Sequence, residues 1–183
     1  MSCDIHFKLE YKPKDKDVQH WFPVFGWSQN ELYLDADYMI FAALANVRNY
    51  DDIEHIELKG FPKDADLSTK LAYCYVIDES EESNTTYYDS EDGTKCVNPD
   101  VADNWVNQKY SVYMEDPIYG LVTGPDFHSA NWCTFEEYKH ALDIVKNKYP
   151  NKFINVCYQA IYALMETYNK NDMYIRMVYW FDN

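Results

Sequence analysis

Glycine is scarce, with 5 in 183 residues. No P-loop and no G-x-G-x-x-G turn occurs, so a phosphate cradle built from bare backbone is excluded. Arginine is scarcer still: Arg48 and Arg176 are the two in the chain. Lys and Arg total 16 against 31 acids, a formal net charge of −15. Duplex binding draws its affinity from neutralising phosphates with cations, so a duplex nucleic acid is not the expected partner. The five cysteines are scattered, odd in number and never in C-x-x-C spacing, which argues against a zinc knuckle and against a disulfide framework. No apolar run reaches the length of a membrane span. Met1 leads straight into a strand-like segment with no basic, then apolar, leader. Ser129 lacks the Gly-x-Ser-x-Gly elbow of a serine hydrolase. These absences together point to a reducing cytosol and away from membranes.

Tyrosine is abundant, 18 in all. Tyr packs and hydrogen-bonds at once, which suits half-buried sheet faces and interfaces. The chain length predicts a single domain, residues 1–183, with a buried core. Residues 3–11 (CDIHFKLEY) alternate, with Cys3, Ile5, Phe7 and Leu9 on one face, and predict a half-buried strand. Residues 173–181 (MYIRMVYWF) are apolar on both faces near their end and predict a central strand. A helix is expected over 36–48 behind Asp35 as N-cap, and a weaker one over 64–77. Residues 78–104 are acidic, polar and rich in turn formers, and read as a surface insertion outside the core. Residues 105–114 and 118–123 have strand composition. Thr134-Phe-Glu-Glu137 is a capping box, so a helix runs from about 135 to about 148 and stops before Pro150. A last helix is expected over 151–170. The order predicts an α+β fold: an antiparallel or mixed sheet that includes both terminal strands, packed by about four helices.

Several short runs occur in a fixed order: Met1-Ser2-Cys3-Asp4-Ile5-His6, Val47-Arg48-Asn49, Gly60-Phe61-Pro62-x-Asp64, Asp126-x-His128-Ser129-x-x-Trp132-x-Thr134 and Trp180-Phe181-Asp182-Asn183. In these the chain resembles a family of uncharacterised bacteriophage and prophage accessory proteins. It departs in a longer acidic segment around 78–122 and in Lys59 where the family has Arg. The resemblance implies expression in the cytoplasm of an infected bacterium. Accessory phage proteins of this size often act against host defences.

Two Asp-x-His triplets, Asp4-Ile5-His6 and Asp126-Phe127-His128, each place a carboxylate and an imidazole on one side of extended backbone. If the fold joins them, Asp4, His6, Asp126 and His128 are a ligand set for a divalent metal. The carboxylate of each pair can otherwise orient its imidazole. A histidine near a sheet is more often a hydrogen-bonded structural group. Arg48, at a helix end, either answers the helix dipole or reaches an anion. Arg176 inside a core strand needs a partner: a buried salt bridge with Asp4 or Asp126, or a captured phosphate. Trp21, Trp27, Trp105 and Trp132 could stack on bases. Three functions stand. The first is sequestration of a small nucleotide-like immune signal by His6, Arg48, Asp126, His128, Ser129 and Trp132, with no cofactor. The second is a metal-dependent phosphoesterase using both triplets. The third is an acidic inhibitor that binds a host defence protein through 78–104.

Overall fold

A computed structural model describes residues 3–14, 17–25, 34–79, 87–89 and 94–182. Trp27 and the acidic stretches 80–86 and 90–93 lie outside the described residues. The chain gathers into two compact units, Met1–Asp66 with His128–Asn183, and Leu67–Phe127. The expected insertion at 78–104 falls inside the second. The fold is α+β, with five α-helices and two sheets among the described residues.

In the first unit the strands β1 (Asp4–Pro13), β2 (Phe22–Pro23), β8 (His128–Thr134) and β9 (Met173–Asp182) form an antiparallel sheet in the order β2-β1-β9-β8. The terminal strands β1 and β9 pair over their whole length, from Asp4↔Asp182 to Pro13↔Met173, and β9 is central as its two apolar faces require. Ile5, Phe7 and Leu9 alternate into the core as the sequence pattern demands.

Three helices cover that core face. In α1 (Tyr38–Ala45) every residue from Ile40 to Ala45 is buried, as an apolar composition all round predicts. Its N-cap is Asp37, two residues later than expected, accepting the N–H groups of Met39 and Ile40. In α4 (Phe135–Lys148) the capping box forms as read: Glu137 N–H donates to Thr134 Oγ1 and Thr134 N–H to Glu137 Oε2. The last helix, α5 (Val156–Lys170), starts at an Asn155 cap rather than at 151. Asn131 ties the layers together: its amide donates to Leu44 O, Glu57 O and Tyr179 Oη, and it accepts from Lys59 N–H.

The second unit holds α2 (Leu67–Tyr73), β3 (Cys74–Ile77), β4 (Tyr87–Asp89), β5 (Lys95–Val97), α3 (Pro99–Asn107), β6 (Tyr113–Met114) and β7 (Leu121–Thr123). Its sheet runs β4-β5-β3-β7-β6, with β3 and β5 parallel and the other pairs antiparallel. Two expectations are corrected. The helix expected over 64–77 stops at Tyr73, where the β-favouring Tyr75-Val76-Ile77 takes over as strand. The strand expected over 105–114 begins as the last turn of α3. Segment 78–104 is also no core-free insertion: Val97 and Ala102 pack with Val122 in this unit's core.

Candidate functional site

The β1–β9–β8 register sorts every candidate by face. Ile5, Phe181 and His128 share one cross-strand row, and His6 and Trp180 the next. Adjacent residues on a strand point to opposite faces. Phe181 belongs to the helix-covered core, and His128 stacks on it with ring centroids 6.1 Å apart. His6 stacks on Trp180 instead, at 6.0 Å. The two histidines thus sit on opposite faces of the sheet. His128 opens β8, which pairs with β9.

The expected metal quartet of Asp4, His6, Asp126 and His128 is therefore not assembled. Asp126 is an exposed turn residue of the second unit. Among the described residues no three His, Cys, Asp or Glu side chains gather to hold a metal ion. The partner of His6 is not Asp4 but Asp182, whose Oδ2 lies 3.0 Å from Nε2, while Asp4 N–H donates to Asp182 Oδ1. His128 Nδ1 shares a hydrogen bond with Ser129 Oγ at 3.0 Å. Its buried Nε2 has no hydrogen-bond partner among the described residues.

Of the six expected ligand-binding residues, Arg48 and Trp132 line different cavities. Arg48 lies beyond α1, with Nη1 donating to Tyr50 Oη at 3.2 Å beside the Tyr38 ring. It lines a small cavity of about 190 Å³ with Tyr38, Tyr50 and Tyr149. Ser129 is an exposed left-handed residue (φ 51°) at the irregularity between His128 and Asn131. Only Trp132 of the six lines the cavity described next.

That cavity opens at the β2 end of the sheet's other face. On this face the rows read Lys12–Tyr174, Glu10–Arg176–Thr134 and Lys8–Val178–Trp132. Arg176, 2 % exposed, gives Nε to Glu10 Oε2 at 2.7 Å, Nη1 to Asp64 Oδ1 at 2.8 Å and Nη2 to Asp64 O at 3.1 Å. Trp21 lies on the guanidinium, 4.0 Å from ring centroid to Cζ, and its Nε1 donates to Asp64 Oδ2. Asp64 is drawn two ways: burial pushes its carboxyl up, and the hydrogen bonds from Arg176 and Trp21 outweigh it, holding the group below its ordinary range. The charge expected to need a partner on β9 is thus satisfied within the protein, by Glu10 and Asp64 rather than by Asp4 or Asp126.

Beside this closed network lies a cavity of about 390 Å³, walled by Lys12, Trp21, Trp132, Thr134, Glu136 and Tyr174. The size is that of a small-molecule site. Lys59 caps the far side of Trp132, its Nζ 3.5 Å from the ring centroid and paired to Glu137. Lys12 differs from both cations. Its Nζ sits 4.7 Å from the Trp21 centroid and 5.9 Å from that of Tyr174, with no carboxylate partner among the described residues. Lys14 stands over the other side of this rim, 5.7 Å from Tyr174 and donating to Asn169, which also lines the cavity. Two ammonium groups with no carboxylate partner among the described residues, beside three aromatic rings, suit an anion that carries a planar ring. Glu136, also on the wall, would repel an anion at its own end of the cavity.

His6 is not part of this wall. Its row partner Trp180 is two residues along β9 from Val178, the row partner of Trp132, but neither His6 nor Trp180 lines the cavity. Three of the thiols are held back by burial. Burial pushes the Cys74 thiol up to about 12 and those of Cys3 and Cys133 above their ordinary range, so all three stay protonated at neutral pH.

Sequence reading singled out Trp132 and Trp21 but missed Lys12 and Tyr174. Their alternation was visible; the register that sets Lys12 opposite Tyr174 is not a local property. No helix of the described residues is long and apolar enough to cross a membrane. No family model, no curated protein and no solved structure matches the chain.

Proposed function

We propose that this chain binds and sequesters a small nucleotide-like immune signal, as a counter-defence protein of the phage setting its motifs imply. The observation that carries the reading is Lys12: an ammonium with no carboxylate partner among the described residues, resting on Trp21 and Tyr174 at a cavity also walled by Trp132. A base stacks on an indole face for about 1–3 kcal/mol. A phosphate at Lys12 adds a charge-assisted hydrogen bond of about 1.5–3 kcal/mol. Binding without turnover is favoured over hydrolysis because aromatic rings and the Lys12 ammonium dominate the lining, with Glu136 its one carboxylate among the described residues. These supply stacking and charge, and no His or Cys is among the described residues that line it.

The test uses a panel of cyclic and linear nucleotides, with and without EDTA. Each is incubated with the protein, the free concentration is read, and the nucleotide is recovered after the protein is denatured by heat. The expected result is a depleted nucleotide that returns intact and is indifferent to EDTA. Trp132→Ala and Lys12→Gln should each weaken capture, the former by roughly 5- to 150-fold for a lost stack. A nucleotide recovered in altered form would move the assignment to an enzyme. No depletion of any nucleotide, or depletion that both variants retain, would overturn the reading.

A further inference from the structure

A different surface stands apart in the second unit. Of the twelve large apolar side chains exposed among the described residues, five fall within ten positions: Tyr110, Val112, Tyr113, Ile118 and Tyr119. Scattered single exposures need no explanation, whereas a concentration on one hairpin does. The hairpin joins β6 to β7, and β6 is the outermost strand of its sheet.

Its tip is held open by buried charge. Asp116 Oδ1 accepts the N–H groups of Ile118 and Tyr119, at 3.0 and 3.3 Å. Asp116 Oδ2 takes the Lys70 ammonium at 2.7 Å, and the two side chains are 5 % and 11 % exposed. Pro117 fixes the backbone between them. Ile118, 73 % exposed, is thereby displayed rather than left to fold back onto the sheet. A contact surface whose ordering is complete before binding loses less on association.

Charge selects the occupant. Residues 67–127 contain twelve of the 31 acids and three of the 16 Lys and Arg residues, a net of −9. Two of those three cations are turned inward, Lys70 to Asp116 and Lys95 to Ala72 O. A second copy docked here would bring two such units together, and like charges across an interface are repelled. A basic surface is attracted over several ångströms and then meets the apolar tip.

We propose that the 110–119 hairpin is a docking surface for a partner protein that offers an apolar recess ringed by Lys and Arg. Ile118 and Tyr119 enter the recess. Glu115 and Asp103, both exposed, face the ring of cations. This surface acts independently of nucleotide capture, which rests on residues of the first unit.

The test places a photo-reactive benzophenone side chain at position 118 of the full chain, expressed in bacteria, with position 50 as the exposed control in the first unit. Any protein cross-linked at 118 is identified, purified and titrated against the full chain at about 0.1 M and 0.5 M salt, where screening differs strongly. The expected result is a basic protein joined at 118 and not at 50. Its affinity should fall at least about tenfold with Ile118→Asp and again with salt, and should be unmoved by Trp132→Ala. The idea is overturned by no adduct, by equal adducts at both positions or by an adduct to a second copy. It fails equally if the purified partner ignores Ile118→Asp or salt.

Discussion

Arg176 and Glu10 face each other across the β9–β1 ladder with Nε 2.7 Å from Oε2, and both side chains are shut away from water. Removing one member leaves the other as an uncompensated buried charge, which costs about 3–5 kcal/mol. Arg176→Met should therefore lower the free energy of unfolding by that amount in urea titration. Arg176→Met combined with Glu10→Leu should recover much of it. If the single variant costs less than about 1 kcal/mol, the pair is not the closed network described.

His128 is expected to tolerate change. Its buried Nε2 has no partner among the described residues, and its ring stacks on Phe181. His128→Phe keeps the stack and removes the desolvated nitrogen, so stability should stay within about 1 kcal/mol or rise. Nucleotide capture should not change. A loss of capture with the fold intact, read by equilibrium binding and circular dichroism, would restore His128 to the site.

Acid should weaken the junction between Lys59 and α4. Burial raises the Glu137 carboxyl, but hydrogen bonds from Lys59 and from Thr134 N–H outweigh it and hold the group below its ordinary 4.5. A carboxylate lowered on folding stabilises above its unfolded value, and that contribution disappears as pH falls through the folded one. The stability difference between wild type and Glu137→Gln should be largest near pH 7 and shrink below about pH 4.5. Asp64 and Asp116 are lowered too and act in the same direction. A difference independent of pH would contradict the assignment.

Thiol labelling should be graded. Cys3, Cys74, Cys96 and Cys133 are buried, whereas Cys157 is partly exposed. A thiol reagent at neutral pH should modify Cys157 first, with the buried four reacting after denaturation. Mass spectrometry of a timed reaction reads the order directly. Early labelling of Cys133, beneath the β8–β9 pair, would show that this sheet opens far more readily than its burial implies.

What the sequence disclosed was local. The alternation of Ile5, Phe7 and Leu9 and the Thr134–Glu137 box are each written within a few residues, and both appear as read. Helix α3 escaped because its Asn98 cap and Pro99 start sit in a polar stretch, though that pair of residues is itself a start signal. The cavity escaped for another reason. Lys12, Trp21, Trp132 and Tyr174 meet only through the registers of three strands, β1, β9 and β8, and the course of the loop that carries Trp21. The repeated Asp-x-His misled because one residue of register on β9 separates the faces on which its two copies lie.

The pairing of β1 with β9 also sets an order of assembly. A ribosome delivers β9 after every other element described, yet β9 is the strand that joins β1 to β8. Until it emerges, the first unit has no centre, and Ile5, Phe7 and Leu9 wait uncovered through nearly the whole of synthesis. Residues 67–127 are contiguous and can form their sheet during that interval. The contiguous block can thus be complete while the first unit still waits for β9. The recovery of folded protein in a cell is governed by how the nascent β1 is shielded during that wait.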